Sequence, residues 1–249
     1  MLLISAAVLA SITRARRGRQ LYLRAIPGFS AVDEAAGRAT EMGRPVLFSV
    51  GLGGVDSITV LTGMTVMQHV GRICARMGAR CIVPIDGPSA YPLAQEVMRE
   101  VWESEGRPES FRADDVKYLT GGQFAWAMAV MGLMTRERVA SAFYFGYYGA
   151  ESLMLAETGY QVGAVQVAGT PDLYQAPFFV VACDYTVFGE EFYAASAYLS
   201  REPTMVGSLV GQDLGKMLLL GIAVAGVVLA TLVHAGLISA NPLVPLLSQ

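Results

Sequence analysis

The residues best suited to bind a ligand form a glycine-rich turn, Gly51-Leu52-Gly53-Gly54-Val55-Asp56-Ser57. Because glycine has no side chain, such a turn lets backbone N–H groups approach a phosphate at the start of a helix. Asp86 follows the next apolar run, and a carboxylate there suits a sugar hydroxyl. The pattern predicts a nucleotide as the ligand class, contacted by Gly51, Gly53, Gly54, Asp56, Ser57 and Asp86.

The turn is an incomplete nucleotide-binding motif. It reads GxGG without the third spaced glycine of the dinucleotide fingerprint, and Asp86 lies more than thirty residues beyond it instead of about twenty. The Lys-Ser/Thr pair of a phosphate-binding P-loop is also absent from it. Tight turns and helix N-caps use the same residue types, Asp56 and Ser57 among them. The sequence therefore leaves open a ligand site and a purely structural turn.

Other candidates follow the later strands of the predicted sheet. In open parallel sheets, ligands bind outside the carboxyl ends of the strands, where the strand order reverses. Gly121 and Gly122 open the helix after the third strand, and we include both among the ligand-binding candidates. The same rule selects Tyr147, Tyr148, Glu151, Thr170, Asp172 and Asp184.

Most known catalytic constellations are excluded. His69 falls in a predicted helix and His234 in an apolar segment, so a Ser-His-Asp arrangement has one remote candidate base. There is no GxSxG elbow, no HExxH motif and no Cys/His pair at zinc spacing. Glu190-Glu191 is better explained as first-turn acids that favour the helix dipole. We predict no metal site and assign no catalytic residue.

Runs of β-branched and aromatic residues alternate with stretches of helical length. This alternation predicts an α/β fold, a doubly wound, mostly parallel, Rossmann-like sheet. The predicted strands are residues 45–50, 80–85, 116–119, 139–145, 164–168 and 178–183. Helices are expected over about 31–42, where Ser30 and Asp33 form a capping box, and then over 57–77, after Ser89, from Gly122 to Met134, over 149–158 and over 189–199.

A second kind of segment follows the α/β region. Residues 217–239, MLLLGIAVAGVVLATLVHAGLIS, contain no formal charge and as a helix would be about 34 Å long, enough to cross a hydrocarbon core. We therefore predict a C-terminal transmembrane helix. The expected division is a short N-terminal membrane segment with a basic flank (1–20), the α/β domain (21–204), a juxtamembrane and transmembrane helix (205–240) and a short tail (241–249).

The apolar N-terminal stretch, residues 2–12, is shorter than the 17 to 25 residues of an ordinary spanning helix. A secretory signal would carry its basic residues before the apolar stretch, whereas here they follow it. A short or tilted membrane segment, helped by local bilayer thinning or by an upstream start, fits better. An interfacial helix with its arginines on anionic head groups is the remaining alternative.

The charge distribution predicts the topology. Five arginines between residues 14 and 24 precede the first acid, leaving 13 bases against 21 acids in the remainder. The acidic domain argues against nucleic-acid binding, which needs a basic face. The arginines and Lys216 flank the two apolar segments, so we expect the α/β domain in the cytoplasm at the cell membrane. Cys74, Cys81 and Cys183 form no CxxC pair and are expected to be reduced core residues.

Small residues within the anchor predict self-association. Gly221 with Ala225, and Gly226 with Ala230, have the small-xxx-small spacing that lets membrane helices approach closely. Tyr193 and Tyr198 precede the anchor and could face a neighbouring subunit or the lipid interface. We expect a homo-oligomer, or a subunit of a membrane complex, with these residues at its interface.

The stretch from Leu21 through Ile85, beginning LYLRAIPGFSAVDEAAGRATEMGRPVLFSVGLGG, resembles an uncharacterised family of bacterial membrane-anchored domains. The resemblance covers most of the chain and implies an anchored Rossmann-like domain of unknown function. It implies no catalytic motif.

Two functional hypotheses from different classes follow. The first is a non-catalytic, self-associating subunit or scaffold of a membrane complex. The second is an enzyme that binds a nucleotide or another small ligand in the crevice at Gly51–Ser57 and Asp86. Because a fold alone does not fix a function, the sequence favours the first hypothesis.

Overall fold

The structure is a computed structural model that describes residues 2–17, 27–200 and 203–235. It divides into two compact units, one of residues 24–200 and one that joins residues 1–23 to residues 201–249. The first is the α/β domain, and the second contains the long apolar helix. Each unit is described by itself.

The helices and strands alternate through the α/β domain. In chain order the elements are α1 (Leu2–Arg16), α2 (Pro27–Glu41), β1 (Val46–Gly51), α3 (Ile58–Met77), β2 (Cys81–Ile85), α4 (Ala90–Ser104), β3 (Val116–Tyr118), α5 (Gln123–Glu137), β4 (Ser141–Tyr147), α6 (Glu151–Gln161), β5 (Val165–Thr170), α7 (Ala176–Ala182), β6 (Tyr185–Phe188), α8 (Glu190–Ser200) and α9 (Pro203–His234). Two short 3-10 turns lie between α4 and β3.

The six strands form one sheet in the order β3-β2-β1-β4-β5-β6. Every pairing between them is parallel. The chain crosses from β3 at one edge back to β4 beside β1, so the strand order reverses between β1 and β4. This is the order of the Rossmann fold and confirms the predicted doubly wound α/β class.

Helices cover both faces of the sheet. Helices α2, α4 and α8 each pack against α3 on one face, and α5, α6 and α7 pack in sequence on the other. All residues of β1 and β2 are buried, which explains their continuous apolar runs. Phe48 stacks on Phe143 and Phe145 in the core. The sheet is therefore a rigid support for the loops at its carboxyl ends.

Two predicted elements are wrong in detail. Helix α2 begins at Pro27, so Ser30 lies inside the helix and does not cap it. Proline suits the first turn of a helix because its missing N–H has no helical partner there. The predicted sixth strand, 178–183, is instead the short helix α7, and the strand follows it as β6. Val181 in α7 is 84% exposed beside the buried Phe179, so this apolar run buries one side only and does not form a core strand.

In the second unit, α1 packs against α9. Helix α9 has 32 residues, a length of about 48 Å. Its segment Val206–His234 contains an 18-residue window with a mean hydropathy of 2.4, and the segment is long and apolar enough to cross a membrane. This finding supports the predicted anchor.

Candidate functional site

The glycine turn begins where β1 ends beside β4. Gly51 has a φ of +77°, and a Cβ there would clash with the carbonyl oxygen of Tyr147. Gly53 has a φ of +119°, which only glycine adopts readily. The Leu52 amide donates to the Tyr147 carbonyl oxygen at 2.8 Å. The strand order reverses between these two strands, so the turn lies where a Rossmann-like domain binds its ligand.

Protein atoms already accept hydrogen bonds from several amides of this turn. The Gly53 amide donates to Asp86 Oδ2 at 3.4 Å, and the Val55 amide donates to Ser89 Oγ at 3.3 Å. A Cβ on Gly87 would clash with the Gly53 carbonyl oxygen, so the turn rests directly on the loop after β2. An anion that used the Gly53 amide would therefore have to displace the Asp86 carboxylate.

Asp86 itself is incompletely partnered. Its Oδ1 atom is buried and accepts no hydrogen bond from the part of the chain that the structure describes. Burial raises the pKa of this carboxyl above its ordinary value of 3.8, and the nearby charge of Glu151 raises it further, while the Gly53 amide lowers it. A buried acceptor without a donor costs free energy. A hydroxyl, amine or amide N–H at this point would supply the missing donor.

The remaining predicted ligand residues lie beside the Asp86 backbone or at the start of a helix. A Cβ on Gly121 would lie 4.0 Å from the Asp86 carbonyl oxygen, and Gly122 forms the N-cap of α5. Ser57 is the N-cap residue of α3, but its Oγ lies 2.6 Å from Thr59 Oγ1 and caps no amide. Asp56 beside it is exposed. The structure thus brings Gly53, Asp86 and Gly121 together, with Asp56 and Ser57 at the start of α3.

Glu151 is the second carboxylate at this edge of the sheet. It is fully buried, and it accepts hydrogen bonds from Gln123 Nε2 at 2.5 Å and from the Gly149 amide at 2.8 Å. The sequence patterns do not identify Gln123. Its position in the first turn of α5, directly after Gly121 and Gly122, is the signal that could have found it. Because both carboxylate oxygens of Glu151 have partners, its role is to hold the loop after β4 against α5.

Tyr148 ties the same loop to β1. Its hydroxyl lies 2.9 Å from Ser49 Oγ and 3.0 Å from the Ser49 carbonyl oxygen. Burial raises the pKa of this phenol, so it stays protonated. Ser49 was not among the predicted residues, because a serine inside an apolar strand has no distinctive spacing. Both residues are fully buried, which gives them a structural role.

The other candidate groups lie away from this crevice or are explained by local contacts. His69 Nε2 on α3 lies 3.1 Å from Asp33 Oδ1 on α2, so the histidine pairs between two helices. Asp172 Oδ1 accepts the Tyr174 amide at 2.8 Å, and Asp184 Oδ2 accepts the Gln166 amide at 2.7 Å. Among the described residues, no group of three or more His, Cys, Asp or Glu could hold a metal ion.

The second unit contains two glycines that pack against α1. A Cβ on Gly207 would lie 2.5 Å from Ile12 Cα, and one on Gly211 would lie 2.6 Å from Val8 Cα. These pairings make the two helices antiparallel, and Gly215, one turn further along α9, is also buried. The spacing Gly-xxx-Gly-xxx-Gly lets the two backbones approach closely.

The predicted self-association residues lie further along α9. Within the described part of the chain, a Cβ on Gly221 or Gly226 would have no atom within 4 Å. Ala225 and Ala230 are exposed. On α8, in the other unit, Tyr193 is exposed and Tyr198 is half-buried. This half of α9 therefore presents an apolar surface that α1 leaves uncovered.

Comparison with known proteins identifies the family. A family model described as a domain of unknown function, DUF6754, matches residues 1–240. The chain belongs to this family. The expected membership in an uncharacterised family is thus confirmed, and it extends through both units. No curated protein and no solved structure matches the chain.

Proposed function

We propose that this DUF6754 chain is a membrane-anchored, non-catalytic, self-associating subunit of a membrane complex. The observation that carries the proposal is the difference between the two glycine sets of α9. Gly207 and Gly211 are covered by α1, whereas Gly221 and Gly226 have no neighbour among the described residues. In a membrane, close helix approach at small residues replaces the hydrophobic effect as the driving force for association. Gly221, Ala225, Gly226 and Ala230 supply such a surface, and Tyr193 and Tyr198 are proposed as further contacts.

Self-association is tested by adding bulk to the open surface. We expect native mass measurement in detergent to show an oligomer for the wild-type chain and a monomer for Gly221→Leu/Gly226→Leu. Val224→Leu is the matched control, because it enlarges an exposed residue of the same helix and keeps both glycines. A monomeric wild-type chain, or an oligomer that survives the double substitution, contradicts the proposal.

We further propose that the α/β domain faces the cytoplasm. The support is the basic flank at Arg14, Arg16 and Arg17 together with Lys216. In intact cells, a membrane-impermeant thiol reagent should label Ser248→Cys and leave Ser110→Cys unlabelled until the cells are opened. The wild-type chain measures the background from Cys74, Cys81 and Cys183. The reverse labelling pattern would overturn the orientation.

A second candidate function is small-ligand binding, as an enzyme or a sensor, at the glycine turn. One observation favours it: the buried Oδ1 of Asp86 has no hydrogen-bond partner within residues 2–17, 27–200 and 203–235, and it lies near the point where the strand order reverses. A ribose hydroxyl would donate to this oxygen, which keeps a nucleoside or nucleotide as the proposed ligand class. The Gly53 amide reaches a phosphate only if Asp86 releases it.

Thermal shifts of the full chain with nucleosides, nucleotides and dinucleotides test this candidate, since selective binding to the folded state raises its apparent stability. Asp86→Ala should weaken binding by about 1–3 kcal/mol, the usual cost of an unmatched buried hydrogen-bond partner. Asp172→Ala removes an acid that follows β5 and is expected to leave binding unchanged. No shift with any compound, or equal loss in both variants, contradicts a site at Asp86.

A further inference from the structure

Large apolar side chains are exposed where the strands of the α/β domain end. Tyr174 in the loop after β5 is 89% exposed, and Leu173 beside it and Ile58 at the start of α3 are both 67% exposed. We call this surface the carboxyl-edge patch; its further members are Val55, Tyr118, Phe124, Tyr147 and Leu153. These side chains all lie at the same edge of the sheet, and an exposed apolar surface of this kind marks an interaction site.

The charged residues in the loops of this edge are all acids. The loops after the six strands and the first turns of the helices that follow them contain no Lys or Arg. They do contain acids, and two of these, the exposed Asp56 and the half-buried Asp172, directly adjoin the exposed residues Val55 and Leu173 in the chain. Helix dipoles favour acids at helix N-termini, so they explain the charges in part. They do not explain why aromatic and aliphatic side chains are exposed between those acids.

The exposed apolar side chains and the acidic loops together indicate which kind of partner binds the patch. Anionic lipid head groups would be repelled, because the loops of this edge contain acids and contain no Lys or Arg. A second copy joined by a two-fold axis would bring the same acids face to face. A segment with basic and apolar side chains satisfies both properties, because the bases meet the acids and the apolar groups leave water.

We propose that the carboxyl-edge patch binds a basic, apolar segment of a different protein. The inference rests on the proposed role as a subunit of a membrane complex, and it names the chemistry of the missing partner. Tyr174, Leu173 and Phe124 supply the apolar contact, and Asp56 and Asp172 supply the charge.

The test uses the full chain in phosphatidylcholine nanodiscs and three labelled synthetic peptides. The peptides share one leucine and tyrosine pattern and carry arginine, serine or glutamate at the polar positions. Fluorescence anisotropy should show the arginine peptide binding at least tenfold more tightly than the serine peptide, with no binding of the glutamate peptide. Binding to empty nanodiscs is subtracted.

Variants then locate the binding surface. Two double variants are tested, Tyr174→Ser/Phe124→Ser and Asp56→Asn/Asp172→Asn. Each should lower the affinity for the arginine peptide at least fivefold. Tyr160→Ser is the matched control, because Tyr160 is 73% exposed at the C-terminal end of α6, away from the patch. Equal binding of all three peptides, or equal loss in the control, overturns the proposal. Native mass measurement of the same samples reports self-association separately. A chain that self-associates but does not bind the arginine peptide contradicts the proposed binding surface and leaves the proposed subunit role intact.

Discussion

The two edges of the parallel sheet differ in how their charges are used. At the amino edge, Arg80 binds Asp115 at 2.6 Å and Glu137 at 3.0 Å, and Arg76 binds Glu105 at 2.8 Å. At the carboxyl edge, a buried oxygen of Asp86 has no donor among the described residues, and large apolar side chains are exposed.

The difference separates residues that stabilise the domain from residues available to a partner. Paired charges and buried apolar groups lower the free energy of the folded state by themselves. An unpartnered carboxylate oxygen and an exposed tyrosine gain most when something else binds. The comparison predicts that substitutions at the amino edge are costly, and that substitutions at the carboxyl edge are neutral or stabilising until a partner is present.

The largest expected effect is at Arg80. Arg80→Gln leaves Asp115, which is 8% exposed, without its charged partner, and we expect unfolding free energy to fall by about 2–4 kcal/mol. Chemical unfolding of the full chain, followed by the fluorescence of Trp102 and Trp126, measures the change. Arg99→Gln, which removes an exposed pair with Glu96, should lower the unfolding free energy far less, because exposed ion pairs contribute little. An equal loss of unfolding free energy in the two variants would contradict the stabilising role of the charges at the amino edge.

An effect of opposite sign is expected at Asp86. Because the pKa of the folded carboxyl is raised, the folded state favours the protonated form, and the stability of the wild-type chain falls as pH rises from the ordinary 3.8 through the raised value. Asp86→Asn stays neutral and should therefore be more stable than the wild-type chain at pH 7. The gain should vanish at a pH below 3.8, where the wild-type side chain is also neutral.

Unfolding curves at several pH values measure this gain. Asp172→Asn is the control, since the Asp172 carboxylate already accepts the Tyr174 amide and gains nothing by becoming neutral. A variant that is less stable than wild type at pH 7 would show that the Asp86 charge stabilises the glycine turn, contrary to our interpretation.

Much of the α/β domain could be predicted from local patterns. Buried strands such as Val46–Gly51 are continuous apolar runs bounded by turn residues, and such runs are recognised without tertiary information. The sixth strand was misplaced because the apolar run in α7 has the composition of a strand. Only its one-sided burial, a property of the folded chain, identifies it as a helix.

The candidate site was predictable in position and less so in chemistry. The rule for parallel sheets placed the glycine turn and Asp86 together from their positions after β1 and β2. In the structure, the Gly53 amide donates a hydrogen bond to the Asp86 carboxylate. This contact depends on loop conformations, which residue types alone do not determine. The sequence does not single out Gly207 and Gly211, because both precede the uncharged segment and are separated from it by Asp213 and Lys216.

The smallest expected effect concerns the exposed aromatic residues of the carboxyl-edge patch. Tyr174 is 89% exposed, so Tyr174→Ser removes little buried area and should change the free energy of unfolding by less than about 0.5 kcal/mol. The hydrogen bond from the Tyr174 amide to Asp172 is kept, because it uses the backbone. Tyr160→Ser, at 73% exposure, gives the scale for an exposed tyrosine. A loss above about 1 kcal/mol at Tyr174 alone would mean that this side chain stabilises the folded domain. The apolar surface would then be part of the domain's own packing, and the distinction between a stabilising edge and a binding edge would fail.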